Sequence, residues 1–363
     1  MIKLRNILKI ALMYAAWLLY RFRKASQPIS GSEPRRICVL YLSGLGDILC
    51  ASFFFRQLRE RFPDAVISAC LPAGFIDLQQ KYFRFDEYIA HTGYRATLRQ
   101  IRKLQPDLII LPGWLLRNSV LALLSNARAV LGYINDLSFS NHFLNRFKLE
   151  AVGREVEESW IDMRSCHLSE RPALISESLG IRPFKAGDAD ISRMKIAEDH
   201  AVIHAGGEFV GKRWPPGQYA EIINHLLESG ICGKVYLIGD SLDAKVNAAI
   251  LSLASSPGTI DMAGKLSLVQ SQDLIARAKL FIGNDSGPMH IAALSGVPTL
   301  GLMGPYLSRI SGPLGENSRS LGYVFPCSGC DQRGCKYDYR CIKAITTEEV
   351  VATIREMTGH AQD

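Results

Sequence analysis

The chain has 363 residues, 48% apolar and only 21% charged, with 42 basic side chains against 35 acidic ones. A chain this apolar can offset its conformational entropy by burial, which excludes disorder as the main state, and collagen-like or disulfide-scaffold compositions do not fit. Lys3, Arg5, Lys9, Arg21, Arg23 and Lys24 fall in the first 24 positions without an acid among them, so the remainder is near neutral and no nucleic-acid partner is expected.

Ile7 to Tyr20 is an apolar run interrupted by Lys9 and followed by Arg-Phe-Arg-Lys. It falls short of the roughly 20 residues that span a bilayer. Trp17, Tyr14 and Tyr20 with flanking bases predict that residues 1–24 form a helix on an anionic membrane surface. Residues 25–36, rich in Ser, Pro and Gly, read as a linker. Ile37–Leu42 then predicts a buried strand and Asp47–Phe62 a helix, with further strands at Ala65–Cys70, Leu108–Leu111 and Ala129–Leu131. After a less regular stretch the alternation restarts. Strands are expected at Ala201–His204, Val235–Ile238, Leu280–Ile282 and Thr299–Leu302, and helices at Pro216–Glu228, Leu242–Leu253, Gln270–Ala278 and Pro288–Leu294. Two successive strand–helix series predict an α/β protein of two Rossmann-like doubly wound domains, residues 37–185 and 186–325, facing across a cleft. Residues 326–363 are a Cys-rich segment and a C-terminal helix.

Four segments carry side chains with chemical promise. Ser43-Gly44-Leu45-Gly46-Asp47 follows the first strand and opens a helix, where glycines permit close backbone approach to a ligand. A dinucleotide fingerprint is disfavoured, since Leu49 stands where its third small residue belongs. His204-Ala-Gly-Gly is followed by Lys212-Arg213, a lysine able to neutralise a diphosphate leaving group, although a solvated Lys-Arg pair reads equally well. Gly283-Asn-Asp285-Ser286-Gly287-Pro-Met-His290 predicts a strand end, a turn and a helix start whose N–H groups suit an anion, with His290 as a further donor. Cys327, Cys330, Cys335 and Cys341 could hold zinc or iron as a structural metal, or form a reduced structural cluster. Arg95, Arg99 and Arg102 share one helical face, read as a solvated one.

In this order, Gly46-Asp47, Gly207 through Lys212-x-Trp214-Pro215, Asp285 through Ala293 and the Cys-rich tail resemble glycosyltransferase family 9, the lipopolysaccharide heptosyltransferases and their relatives. The resemblance implies a GT-B fold with the acceptor in the N-terminal domain and the nucleotide sugar in the C-terminal one. It implies inverting transfer, most simply of heptose from ADP-heptose to a glycolipid or oligosaccharide acceptor, with no required cofactor. It also implies a site on the cytoplasmic face of the bacterial inner membrane. Asp47 matches the family's general base and Lys212 its diphosphate-contacting lysine. Asp285, Ser286, Gly287 and His290 match the donor-binding turn, and Asp243 matches an acid that holds the ribose. Two alternatives stay open: transfer of another nucleotide sugar, and a non-catalytic nucleotide-sugar-binding protein.

Overall fold

The computed structural model describes residues 33–113, 116–133, 148–149, 166–176, 179–192, 197–330 and 334–359. The expected membrane-surface helix lies outside the described residues. The chain divides into two compact units: a short segment ending at Leu168 already belongs to the second, Ser169–Lys185 returns to the first, and the chain stays in the second from Ala186 onward.

The first unit is built on a six-stranded sheet of β1 (Arg36–Leu40), β2 (Val66–Pro72), β3 (Glu87–His91), β4 (Leu108–Leu111), β5 (Ala129–Tyr133) and β6 (Lys148–Leu149). Its order is β3-β2-β1-β4-β5-β6, parallel except for the last pair. Strand β1 is buried on both faces, which is why it reads as an unbroken apolar run. Ile37, Val39 and Tyr41 face one side with Phe54, Phe55 and Leu58. Cys38, Leu40 and Leu42 face the other with Ile101 and Leu121. The later segment Ser169–Lys185 returns to this unit, where Ile175, Leu179 and Ile181 complete the first of these layers.

The second unit repeats the design with β7 (His200–His204), β8 (Lys234–Leu237), β9 (Thr259–Asp261), β10 (Leu280–Asn284), β11 (Thr299–Met303) and β12 (Ser318–Gly322). All neighbours are parallel, in the order β12-β11-β10-β7-β8-β9. Residues from 326 onward belong to this unit: Ile342, Ile345, Val350 and Ile354 lie in its core, and Trp214 Nε1–H donates to the Ile345 carbonyl at 3.0 Å.

Several expectations are corrected in detail. The helix predicted from Asp47 to Phe62 is two helices, Leu45–Cys50 and Ser52–Arg61, separated at Ala51, so Asp47 sits inside a first turn whose N-cap is Gly44. The last helix of the second series begins at Gly287, with Ser286 as N-cap and Pro288 second, where a proline costs no hydrogen bond. Four strands escaped the pattern: β3, β6, β9 and β12. Each lies at a sheet edge.

Candidate active site

In an open parallel sheet, ligands bind outside the carboxyl ends of the strands where the order reverses direction. In the second unit that point lies between β7 and β10, and in the first between β1 and β4. Lys212, Asp285, Ser286, Gly287 and His290 come to the first of these places and Gly44, Gly46 and Asp47 to the second, while Asp243 follows the neighbouring β8.

In the second unit, three loops leave adjacent strand ends. The loop after β7 turns through Gly206 and Gly207, the latter at φ +144°, and then makes a 3-10 turn at Val210–Lys212. That turn aims Lys212 across to the loop after β10. Its Nζ donates to Asp285 Oδ2 at 2.8 Å and to the Asp285 carbonyl at 3.2 Å, and lies 4.9 Å from the Tyr306 ring centroid. Asp285 is buried, so this carboxylate needs its cation. An ammonium held beside the opening turn of helix Gly287–Leu294 places positive potential where backbone N–H groups already point outward. Arg213 is no solvated partner of Lys212. Its Nε donates to the Gly207 carbonyl at 2.9 Å and pins the glycine turn from below.

Asn284, the last residue of β10, is the hub behind these loops. It is fully buried, and its Nδ2 donates to the carbonyls of Ala205 and Gly206, both at 2.9 Å. Its Oδ1 accepts from the Trp214 N–H at 3.1 Å and from the Tyr219 hydroxyl at 2.9 Å. The amide's two donors and two lone pairs are therefore all engaged. His290 is also buried, in the first turns of the helix.

Asp243 follows β8 and is buried against two glycines. A Cβ on Gly206 would stand 2.1 Å from its Oδ1, and one on Gly239 2.6 Å from its Oδ2. Burial pushes its carboxyl up, but the hydrogen bond from His204 and the backbone N–H groups of Asp240 and Gly207 outweigh that and hold it below the ordinary carboxylate value.

In the first unit, Asp47 accepts from the Ser43 hydroxyl at 2.7 Å on one oxygen and from Arg171 at 3.2 Å on the other. Its side chain keeps 25% exposure while Arg171 is at 12%, so the carboxylate is oriented yet reachable. Gly44 and Gly46 shape this turn, and Gly44 caps the helix in an extended conformation with no side-chain bond. Arg117, after β4, donates from Nε to the Leu42 carbonyl at 3.1 Å and braces the same loop.

The basic face of helix Tyr94–Leu104 is exposed. Arg102 donates from Nε to the Leu124 carbonyl at 3.0 Å, the C-terminal end of the neighbouring helix. All nine cysteines are free thiols. Cys341 is buried, and its thiol is pushed up by burial, with Cys330 and Cys335 close enough to add to the effect. The Tyr339 N–H donates to Cys335 Sγ at 3.3 Å. Among the described residues no group of three or more His, Cys, Asp or Glu side chains is arranged to hold a metal ion.

Sequence reasoning missed Arg171, Asn284 and Tyr306 as parts of these sites, and it quoted Ser43 and Arg213 without giving them these roles. Asn284 stands inside the motif quoted for its neighbours, and a polar residue closing an apolar strand was its one visible signal. Arg171 lies 124 positions from Asp47, and nothing local announces the pairing.

The chain's comparisons with known proteins agree with this architecture. The model of glycosyltransferase family 9 (heptosyltransferase) matches residues 94–340. The lipopolysaccharide heptosyltransferase 2 of Salmonella typhimurium is 26% identical over 322 residues, covering 80% of this chain and 88% of the relative. The Haemophilus influenzae lipooligosaccharide heptosyltransferase 2 is 35% identical over 123 residues, 33% of this chain and 35% of the relative. Among solved structures, a family 9 glycosyl transferase from Veillonella parvula superposes with a TM-score of 0.71 at 21% identity, covering 90% of this chain and 98% of that one. The E. coli ADP-heptose lipopolysaccharide heptosyltransferase II gives 0.66 at 20% identity over 90% and 99%. Two sheets, parallel but for one edge pair and flanked by helices in two units, make the fold GT-B, and the protein is a glycosyltransferase. The chain belongs to glycosyltransferase family 9.

Proposed function

We propose that this enzyme transfers heptose from ADP-heptose, with inversion, to a sugar hydroxyl of the lipopolysaccharide core, working at the cytoplasmic face of the inner membrane. The observation that carries the reading is the Lys212–Asp285 pair beside helix Gly287–Leu294, at the reversal of strand order in the second unit. Its relatives include proteins named lipopolysaccharide heptosyltransferase 1 and 2. An arriving diphosphate would compete with Asp285 for the ammonium, so leaving-group charge that develops in the transition state meets a cation already in place. The N–H groups of the helix start would share that charge.

Asp47 is assigned as the general base. Ser43 and Arg171 fix its two oxygens, and the exposed part of the carboxylate is left to receive the proton of the acceptor hydroxyl. The hydroxyl becomes more acidic as its oxygen bonds to the anomeric carbon, so a carboxylate is basic enough. Asp47→Asn keeps the size and can still accept from Ser43, but removes the base. Turnover should fall by about 10²–10⁴. ADP affinity, which depends on the second unit, should stay within about twofold, the scatter expected of an independent site. Near-normal turnover in a folded Asn variant would remove Asp47 from this role.

A further inference from the structure

The carboxylate expected to hold the ribose is turned inward, toward a histidine. His204 closes β7 and is buried, and each of its ring nitrogens faces a loop from a neighbouring strand. Nε2 lies 3.4 Å from Asp243 Oδ2, after β8, and Nδ1 lies 2.9 Å from Ser286 Oγ, after β10. Asp243 is itself oriented, since the Asp240 N–H donates to the same Oδ2 at 3.2 Å and Gly206 and Gly239 leave it no other packing. Ser286 supplies an independent sign. It occupies the N-cap of helix Gly287–Leu294, where a serine oxygen ordinarily accepts from a first-turn N–H, yet it makes no side-chain cap bond. Its Oγ lies instead 2.9 Å from His204 Nδ1 and 3.1 Å from the Asn284 carbonyl, both on the inner side of the turn.

We propose that Asp243, His204 and Ser286 form one hydrogen-bonded relay across the strand reversal, in which Asp243 acts through His204 to set the hydroxyl of Ser286. A carboxylate at Nε2 keeps a proton on that nitrogen and leaves Nδ1 an acceptor, so the ring, at 2.9 Å, draws the single Ser286 proton away from the Asn284 carbonyl at 3.1 Å. The Ser286 oxygen then presents lone pairs, and not its proton, at the helix mouth. It is suited to accept from a donor hydroxyl, while Lys212 and the backbone N–H groups address the phosphates. His204 and Asp243 are positioning residues in this scheme. The proposal rests on the donor site assigned above.

A double-mutant cycle with ADP-heptose as donor tests it. Asp243→Asn and Ser286→Ala should each lower kcat/KM by about 10- to 100-fold, as expected for loss of a charge-assisted hydrogen bond. Asp243 and Ser286 touch only through His204, so the double variant should be no worse than the poorer single one. Ser286→Thr, which keeps the hydroxyl, should restore most of the activity. If the two losses multiply, Asp243 acts on the ligand directly and the relay is wrong. Should wild-type enzyme fail to use ADP-heptose, the donor reading falls, and histidine 15N spectra judge the relay alone. His204 should then show Nε2–H with Nδ1 as acceptor. Ser286→Ala should shift Nδ1, and Asp243→Asn should shift both nitrogens. Spectra unchanged in both variants would overturn it.

Discussion

Replacing Asn284 by alanine removes four buried hydrogen bonds at once, and the cost can be worked from the partners left behind. The Tyr219 hydroxyl has an alternative, since the His204 carbonyl lies 3.5 Å away and a small rotation would reach it. The Trp214 N–H and the Ala205 and Gly206 carbonyls lose the Asn284 amide as partner. A buried polar group stripped of its partner costs about 1–3 kcal/mol, and water entering the vacated space recovers part of that. A loss of about 3–5 kcal/mol follows, a large fraction of the roughly 5–15 kcal/mol that holds a domain folded. For a unit of this size the melting temperature should fall by roughly 6–20 °C. Urea unfolding followed by circular dichroism measures the change. Calorimetry with ADP on the still-folded variant measures the functional part, since the turn at Gly206 and Gly207 is no longer tied to β10. Asn284→Asp is the control. It keeps the shape and an acceptor but cannot donate to two carbonyls, so it should be at least as damaging as alanine. A destabilisation below about 1 kcal/mol in the alanine variant would refute the idea that this amide organises the loops.

Two further outcomes are expected. Burial, with Glu87 nearby, pushes the Cys38 thiol up to about 12, and burial pushes Cys232 up to about 11, whereas Cys330 is exposed. A thiol reagent at mildly alkaline pH should therefore label Cys330 in the native protein and reach Cys38 and Cys232 only in denaturant, and mass spectrometry finding native Cys38 modified early would contradict the packing. Removing residues 1–30 should abolish co-sedimentation with anionic liposomes, and raised salt should weaken that of the full chain because each basic residue near the surface contributes about 1 kcal/mol; equal sedimentation of both forms would end the membrane assignment.

Much of the architecture was legible because strands buried on both faces must be apolar throughout. That constraint wrote β1, β4, β7, β10 and β11 into the sequence as runs such as Leu108–Leu111. Edge strands carry no such constraint. Glu87–His91 has one fully buried residue, Thr259–Asp261 and Ser318–Gly322 have none, and pairing by backbone alone leaves no pattern in the side chains. The glycine turns and the Pro-bearing helix start were likewise legible, since backbone geometry restricts which residues can occupy them. What each polar side chain does there was not. Lys212 could be read as a solvated cation until the fold set it 2.8 Å from Asp285, 73 positions further on. His204 and Ser286 are 82 positions apart, and Asp243 meets the same ring from a third loop. Sheet order, with β10 beside β7 and β7 beside β8, brings these groups together. Local sequence sets the conformation of each loop, but which loops become neighbours depends on strand pairing between distant segments, and only the folded sheet decides that.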